Sequence, residues 1–559
     1  MAIVRGVTSP LATKAHVVTI RARALVLPGR PALGVRTALA LTLLASTAAV
    51  GAGIAQPGLE RLTLTASAAV VLALAAAIAP KRAVLALAAW MVALGTVRRV
   101  APGSDFAGIG DPLLLVGPAV LLVLVLASRA HGGPRRVSVL AYAVLAFQVL
   151  AALSALNPLQ GGLQVGVAGL LFVPVPMLGF WVGRALDQND VARLLRFVAV
   201  LAIPVALYGL WQTVVGFPPW DQQWINGLGA DYAALNVGGG IRAFGSLSSA
   251  SEYASVLGIG IVVLVAGMRR GGSSVVLLAL AGLLALGVLL ESSRGIVVTA
   301  AVALGVMTAA RFRLTPTLAL AGGLGLAVSI PFLAGLATPQ DPGSGLVSGL
   351  LAHQLGGLAD PLGASSTLPL HIEIMVSGLW SSLSAPLGVG VGAVSIAASH
   401  FGGATAGTEV DPGNAAVALG IPGLALYLVI AAVGLWRAYG LAQQRRDFLS
   451  LALLGVILVT ALQWLNGGQY AVAWIVWLAF GAIDASTGGE QSGGVGGHPR
   501  RPAPRSVGQD RSPMNADLTT VRMRRRGSVK VDASLRYGQS ISAGDDRIVL
   551  CSQPSALAN

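Results

Sequence analysis

Charge is what this chain has least of. Lys, Arg, Asp and Glu make up 11% of its 559 residues, whereas a soluble globular domain carries about 25%. So little charge cannot coat a large water-facing surface. Cysteine is almost missing too: Cys551 is the only one, which excludes a disulfide within the chain and leaves too few ligands for a cysteine–histidine metal site. There is no phosphate-binding Gly-x-x-x-x-Gly-Lys-Ser/Thr loop, so the chain does not hydrolyse ATP by that route, and no His-Glu-x-x-His helix, which argues against a zinc protease. No Gly-x-Ser-x-Gly elbow stands out. A soluble catalytic domain, heptads and the short alternating strands of a membrane barrel are also lacking.

What fills the chain is apolar sequence. Hydrophobic residues make up 55%, in runs long enough for membrane helices, which need about 20 apolar residues each. The runs predict an all-α, polytopic membrane protein of about 14 spans (12–14 allowing for short and Pro-containing runs). They lie near 36–56, 62–79, 83–97, 111–128, 137–156, 163–183, 194–215, 252–268, 274–290, 296–310, 315–336, 414–436, 448–465 and 470–484. The net charge of +15 does not point to nucleic acid, because the basic residues cluster in the short connections and at the two ends.

Those clusters give an orientation. Lys81-Arg82, Arg129–Arg136, Arg184–Arg196, Arg269-Arg270, Arg311–Arg313 and Arg437–Arg446 occupy alternate connections, which the positive-inside rule assigns to the cytosol together with both termini. The expected location is a membrane whose cytosolic side carries these connections. Arg98-Arg99 breaks the rule. Residues 1–35 read as a basic cytosolic extension, 36–485 as the membrane domain, and 486–559, rich in Gly, Ser, Pro and Arg, as a disordered cytosolic tail. Its Arg522–Lys530 stretch suits contact with anionic lipid. Two long connections, 217–251 and 337–413, then fall outside the cytosol, the second between the eleventh and twelfth spans. Within it, 370–383 suits a short helix lying on the membrane.

On that outer side two arginines stand out, Arg242 and Arg294. Arg294 sits in the break Ser292-Ser293-Arg294-Gly295 between two apolar runs. A charge at that place needs a water interface or a site, because burial in lipid costs about 2.5–3.5 kcal/mol on insertion scales. Paired guanidiniums suit a diphosphate, since each planar fork makes paired charge-assisted hydrogen bonds. The plainer alternative is that each arginine reaches lipid phosphates and caps a helix end. Carboxylates at mid-span are scarce, which argues against an ion-driven carrier.

Four segments, in this order, resemble the O-antigen ligase and O-antigen polymerase superfamily of bacterial envelope proteins. They are Arg242-Ala243-Phe244-Gly245 with Glu252-Tyr253-Ala254-Ser255; Ser293-Arg294-Gly295; Pro386-Leu387-Gly388-Val389-Gly390-Val391-Gly392; and Asn414 with Gly420-Ile421-Pro422-Gly423-Leu424. The resemblance covers about 165–485. It implies a helical bundle with a large outer loop over a cavity, and transfer or polymerisation of a glycan from an undecaprenyl-diphosphate carrier to a glycan or lipid acceptor, without metal or cofactor. It implies that Arg242 and Arg294 bind the donor diphosphate. Relatives often carry a His-Asn pair after the Gly-rich turn; here Asn414 is present and the histidine is not. His400, His371, Glu373, Asp411 and Glu409 are the candidates for the base, His371 standing where many relatives have arginine. Expected partners are the polyprenyl-diphosphate-linked glycan, its acceptor, membrane lipids and other envelope-assembly proteins, with no nucleic acid. Two other readings use the same residues: a lipid-linked oligosaccharide flippase or polysaccharide transporter, and a non-catalytic membrane scaffold.

Overall fold

The computed structural model describes residues 59–488, except 102–109, 132–136, 229–235, 238–239, 269–272, 339–345, 364–365, 396–397, 399–400 and 404. In a second unit, residues 496–559, it describes only the antiparallel pair Ala543–Gly544 with Arg547–Ile548. The N-terminal extension, the expected first span at 36–56, His400 and nearly all of the tail lie outside the described residues.

The chain is mostly helical, and eight of its helices are long and apolar enough to cross a membrane. In chain order the helices are α1 (Glu60–Ile78), α2 (Pro80–Val100), α3 (Val116–His131), α4 (Val139–Ser154), α5 (Leu163–Phe172), α6 (Leu178–Ala185), α7 (Gln188–Val214) and α8 (Pro219–Leu228). A two-stranded hairpin follows, β1 (Asn236–Val237) and β2 (Gly240–Ile241). Then come α9 (Ala250–Ala266), α10 (Ser273–Glu291), α11 (Arg294–Arg311), α12 (Pro316–Ala337), α13 (Leu346–Ala359), α14 (Leu368–Ser384), α15 (Asp411–Arg445), α16 (Phe448–Val459) and α17 (Tyr470–Gly488). The spanning-length helices are α1, α2, α7, α10, α11, α12, α15 and α17; α3, α4, α5, α9 and α16 are apolar but shorter. The expected span at 163–183 is two helices, α5 and α6. Pro174 and Pro176 lie between them; proline lacks the N–H that an uninterrupted helix needs.

α17 is the axis of the core. Trp474, Trp477 and Phe480 on it are fully buried. It lies close against α6 through small residues, since a Cβ at Gly183 would stand 2.0 Å from the Leu478 carbonyl oxygen and one at Gly481 1.9 Å from that of Phe180. Backbone contact of this kind is how helices associate where lipid supplies no hydrophobic drive. At the periphery, α12 exposes Leu320, Leu324, Val328, Phe332 and Leu336, a surface suited to lipid.

The ionic contacts sort the bundle into two ends. At one, the turn end, Lys81 pairs with Asp187 and Asp190, Arg184 and Arg437 both meet Asp484, and Arg196 lies over Phe448. The basic connections at 81–82, 184–196 and 437–446 therefore gather there. At the other, the loop end, Arg61 and Arg98 meet Asp111, Arg99 meets Asp221, and Arg242 meets Glu291. Arg98-Arg99, the exception to the charge rule, is thus no free positive charge: both side chains are buried and matched to carboxylates.

One break in a helix organises the loop end. α15 bends at Gly420, whose φ of 65° and ψ of −156° are not helical, and Pro422 follows. Pro422 cannot donate to the carbonyl of Ala418, and Ile421 donates instead to Pro386 O at 3.0 Å. The two carbonyls so released are taken up from outside the helix: Val389 N donates to Val417 O at 2.9 Å and Gly390 N to Ala418 O at 3.1 Å. Unmet backbone groups are costly in an apolar layer, so such a break persists only where another segment repairs it. The Gly-rich turn 386–392 is that segment. Asn157 holds it by donating to Gly388 O at 2.9 Å, and Gln160 by accepting from Gly392 N at 2.9 Å. α14 consequently packs along the first turns of α15: a Cβ at Gly378 would meet Thr408 Cγ2, Gly413 Cα and Val417 Cγ2.

Candidate functional site

The site begins with an anchor. Arg99 pairs with Asp221 at 2.6 Å and donates to the carbonyls of Leu247 at 2.5 Å and Gly245 at 2.7 Å. Gln212 accepts from the amides of Phe244 at 3.1 Å and Gly245 at 2.7 Å, and donates to Asp221 at 2.7 Å. Gly245 has φ 53°, in the left-handed region that glycine adopts without strain. The stretch 243–247 between hairpin and α9 is therefore fixed on every side. Ser249 closes it by capping α9 at the amide of Glu252.

Arg242, the residue just before this fixed stretch, reaches the junction of α10 and α11. Its Nε donates to Glu291 O at 2.9 Å, and its Nη2 forms an ion pair with the Glu291 carboxylate. Glu291 is completely buried. The junction turns sharply: Ser292 has φ 69°, unusual for a residue with a side chain, and Arg294 opens α11. Arg294 lies three residues beyond Glu291, so the two backbone positions are at most about 11 Å apart. Both guanidiniums act electrostatically on one histidine, His353 of α13.

α13 is shaped to receive Arg294. Nη2 of Arg294 lies 2.8 Å from His353 Nε2 and donates to His353 O at 3.1 Å. Gly357, one turn on, leaves room for the guanidinium; a Cβ there would stand 1.9 Å from Arg294 Cζ. Ser292 Oγ donates to Gln354 Oε1 at 3.2 Å. Burial, then Arg294, then Arg242 push the His353 pKa below its ordinary value. Arg242 thus takes up the Glu291 carboxylate, and both guanidiniums act on one imidazole. Two half-buried arginines close enough to act on each other are suited to an anion with several oxygens.

The comparisons with known proteins leave this geometry to speak for itself. No protein-family model matches the chain, and no curated protein matches it.

The residues expected on the acceptor side form a second group. His371, near the start of α14, has Nδ1 3.3 Å from Glu409 Oε2, and both side chains are accessible. Glu409 has φ 59°, and its carbonyl accepts from Gln463 at 3.0 Å. Glu373, two residues further along α14, is exposed. Asp411 has a different role. It is fully buried at the start of α15, and it accepts from Trp464 N at 2.5 Å, Leu465 N at 3.0 Å and Tyr427 OH at 3.3 Å. With its carboxylate so engaged, Asp411 is a structural tie between α15 and the α16–α17 turn and is poorly placed to accept a substrate proton. Asn414 likewise serves the fold, accepting from Thr408 N at 2.7 Å.

The tip of α16 touches elements that carry both groups. On one side Thr299 of α11 donates to Val459 O at 2.7 Å; on the other Gln463 holds Glu409. A cavity between Asp187, Val191, Leu449 and Ser486 opens at the turn end, away from both groups. Sequence reasoning assigned no role to Glu291, His353 or Gln354. Glu291 had a signal, a carboxylate directly before the Ser-Ser-Arg-Gly break. His353 and Gln354 had none, because only folding brings residues 59 and 62 positions away in sequence onto that break.

Proposed function

We propose that the protein is a glycosyltransferase of the bacterial cytoplasmic membrane, working on its outer face. It transfers or polymerises glycan from an undecaprenyl-diphosphate-linked donor, in the manner of the O-antigen ligase and polymerase superfamily that its motifs resemble. The observation that carries this reading is the pairing of Arg242 and Arg294 around Glu291 at one end of an apolar bundle. In this reading about 14 spans cross the membrane, the turn end and both termini face the cytosol, and 337–413 is the outer loop.

The chemistry follows from the charges. Breaking the bond between sugar and diphosphate leaves negative charge on the departing phosphate. Guanidiniums already in position stabilise that charge without having to reorganise, an effect worth about 2.7–4 kcal/mol for one well-placed donor. The acceptor hydroxyl must lose a proton. His371 with Glu409 is the accessible pair for that step at the rim of the loop end; Glu373 and His400 are the other candidates.

The test is reconstitution of the full chain in lipid with a polyprenyl-diphosphate-linked oligosaccharide, followed by separation of the glycan products. Longer glycan, with release of the carrier diphosphate, is expected. Unaltered donor moved to the opposite leaflet would instead establish the flippase reading. Full activity in both Arg242→Ala and Arg294→Ala would remove the donor site, whereas neither longer glycan nor moved donor with the wild type would leave the scaffold.

A further inference from the structure

We propose that His353 is a third, proton-dependent ligand of the anion held by Arg242 and Arg294, so that binding takes up a proton. This rests on the anion-binding reading above and adds to it a linkage that the arginines alone do not provide.

The argument starts from donors and acceptors. A guanidinium only donates hydrogen bonds. The 2.8 Å contact between Arg294 Nη2 and His353 Nε2 therefore requires the lone pair on Nε2, and a neutral ring protonated at Nδ1. The charged groups facing His353 are Arg294 from α11, Arg242 from the segment before α9, and Glu291 from α10. The other elements packed on α13 are α12, β2 and α7. The first two carry no charged residue, and those of α7, Asp190, Arg193 and Arg196, lie at the turn end. Gln354, beside His353 and fully buried, has an Nε2 donor with no acceptor among the described residues. A donor left unmet in a buried position is costly, and an anion oxygen at the junction would meet it.

An anion arriving at Arg294 changes both facts about His353. It competes for the N–H that Nε2 now accepts, and it brings negative charge beside the ring. Negative charge favours the imidazolium, whose Nε2 then donates to an anion oxygen. The sign follows. The free protein holds His353 below its ordinary pKa, and the bound anion raises it. Between those two values affinity climbs as pH falls, by up to about tenfold per pH unit for one linked proton.

The experiment is calorimetry of inorganic pyrophosphate binding to the full-length protein in lipid nanodiscs. Two buffers of different ionisation heat, at several values between pH 5.5 and 7.5, give the number of protons exchanged. Wild type and His353→Gln are compared in the same buffers, so that protonation of pyrophosphate itself cancels. Glutamine keeps an acceptor for Arg294 but does not titrate. Wild type should take up as much as one proton more than the variant, and the variant should lose the extra pH dependence. Equal proton counts overturn the inference. His353→Asn replaces His353→Gln if the latter does not fold. Arg294→Ala separates the two claims: if it abolishes binding while His353→Gln leaves the proton count unchanged, only the role of His353 fails. If Arg242→Ala and Arg294→Ala both bind like wild type, the anion site itself fails.

Discussion

Two arginine clusters share the loop end, and they are built differently. In the first, Arg61, Arg98 and Arg99 meet Asp111 and Asp221, and their remaining donors go to backbone carbonyls such as Gly245 O and Leu247 O. Arg98 and Arg99 also lie over the rings of Trp224 and Phe244. Both carboxylates are completely buried. In the second, Arg242 meets the carboxylate of Glu291, and Arg294 turns to a histidine. The guanidiniums of this cluster are only partly buried. The first cluster is closed by the protein's own groups and holds segments together. The second is less buried, and Arg294 meets a histidine ring and a backbone carbonyl there, so an arriving anion can reach it.

Breaking the first cluster should have the largest effect. Asp111→Ala leaves two buried guanidiniums without their carboxylate, and removing one partner of a buried ion pair costs about 3–5 kcal/mol. The expected outcome is loss of folded protein, read as a fall in the yield of monodisperse protein in detergent and in its thermal midpoint. The second cluster should respond the other way. Arg294→Ala should cut glycan transfer about 100-fold or more while the thermal midpoint stays close to wild type. Arg294→Lys should recover little, because an ammonium lacks the planar fork. Should Arg294→Ala instead unfold the protein while Asp111→Ala is tolerated, the contrast is reversed and the proposed site loses its basis.

How far this division was legible in the sequence depends on what each residue touches. Apolar runs mark the helices because burial in lipid requires them, and each expected span from 62–79 onward meets an apolar helix or, at 163–183, a pair of them. Arg242 and Arg294 stood out because their local motifs are unusual. The anchor did not stand out. Asp221 looks like one loop carboxylate among several, and its bond to Arg99, 122 positions earlier in the chain, exists only after folding. The repair of the α15 break was half visible: Gly420, Pro422 and the Gly-rich turn are all plain in the sequence. That they pair with each other follows from hydrogen-bond requirements which no single segment displays. The burial of Asp411 could not be read from a Glu-Val-Asp-Pro stretch.

Asp411 sharpens the comparison on the acceptor side. If it is a tie, Asp411→Ala leaves the amides of Trp464 and Leu465 without their acceptor, at about 1–3 kcal/mol for each buried donor left unmet. Thermal stability should fall markedly. His371→Ala, which alters an accessible pair, should leave stability within about 0.5 kcal/mol and lower transfer. A stable but inactive Asp411→Asn would return Asp411 to the list of bases.

The smallest effect belongs to the turn end, whose exposed pairs contrast with both clusters. Lys81, followed by the Asp190 amide, holds the Asp187 carboxyl down to about 2. A depressed carboxyl pKa contributes stability above its ordinary value, and that contribution is lost as pH falls through the folded value. Stability should therefore decline slightly between about pH 4 and pH 2. Lys81 and Asp187 are more than half exposed, so solvent screens them and the effect is about 0.2–0.5 kcal/mol. Lys81→Ala should remove this part of the pH dependence, and about 1 M salt should reduce it in wild type. The same salt should leave the buried Arg99–Asp221 pair almost unaffected, since ions do not reach between two side chains that show no exposed surface. A salt effect of equal size at both places would mean that water enters the anchor, and the distinction between a sealed cluster and an open one would no longer hold.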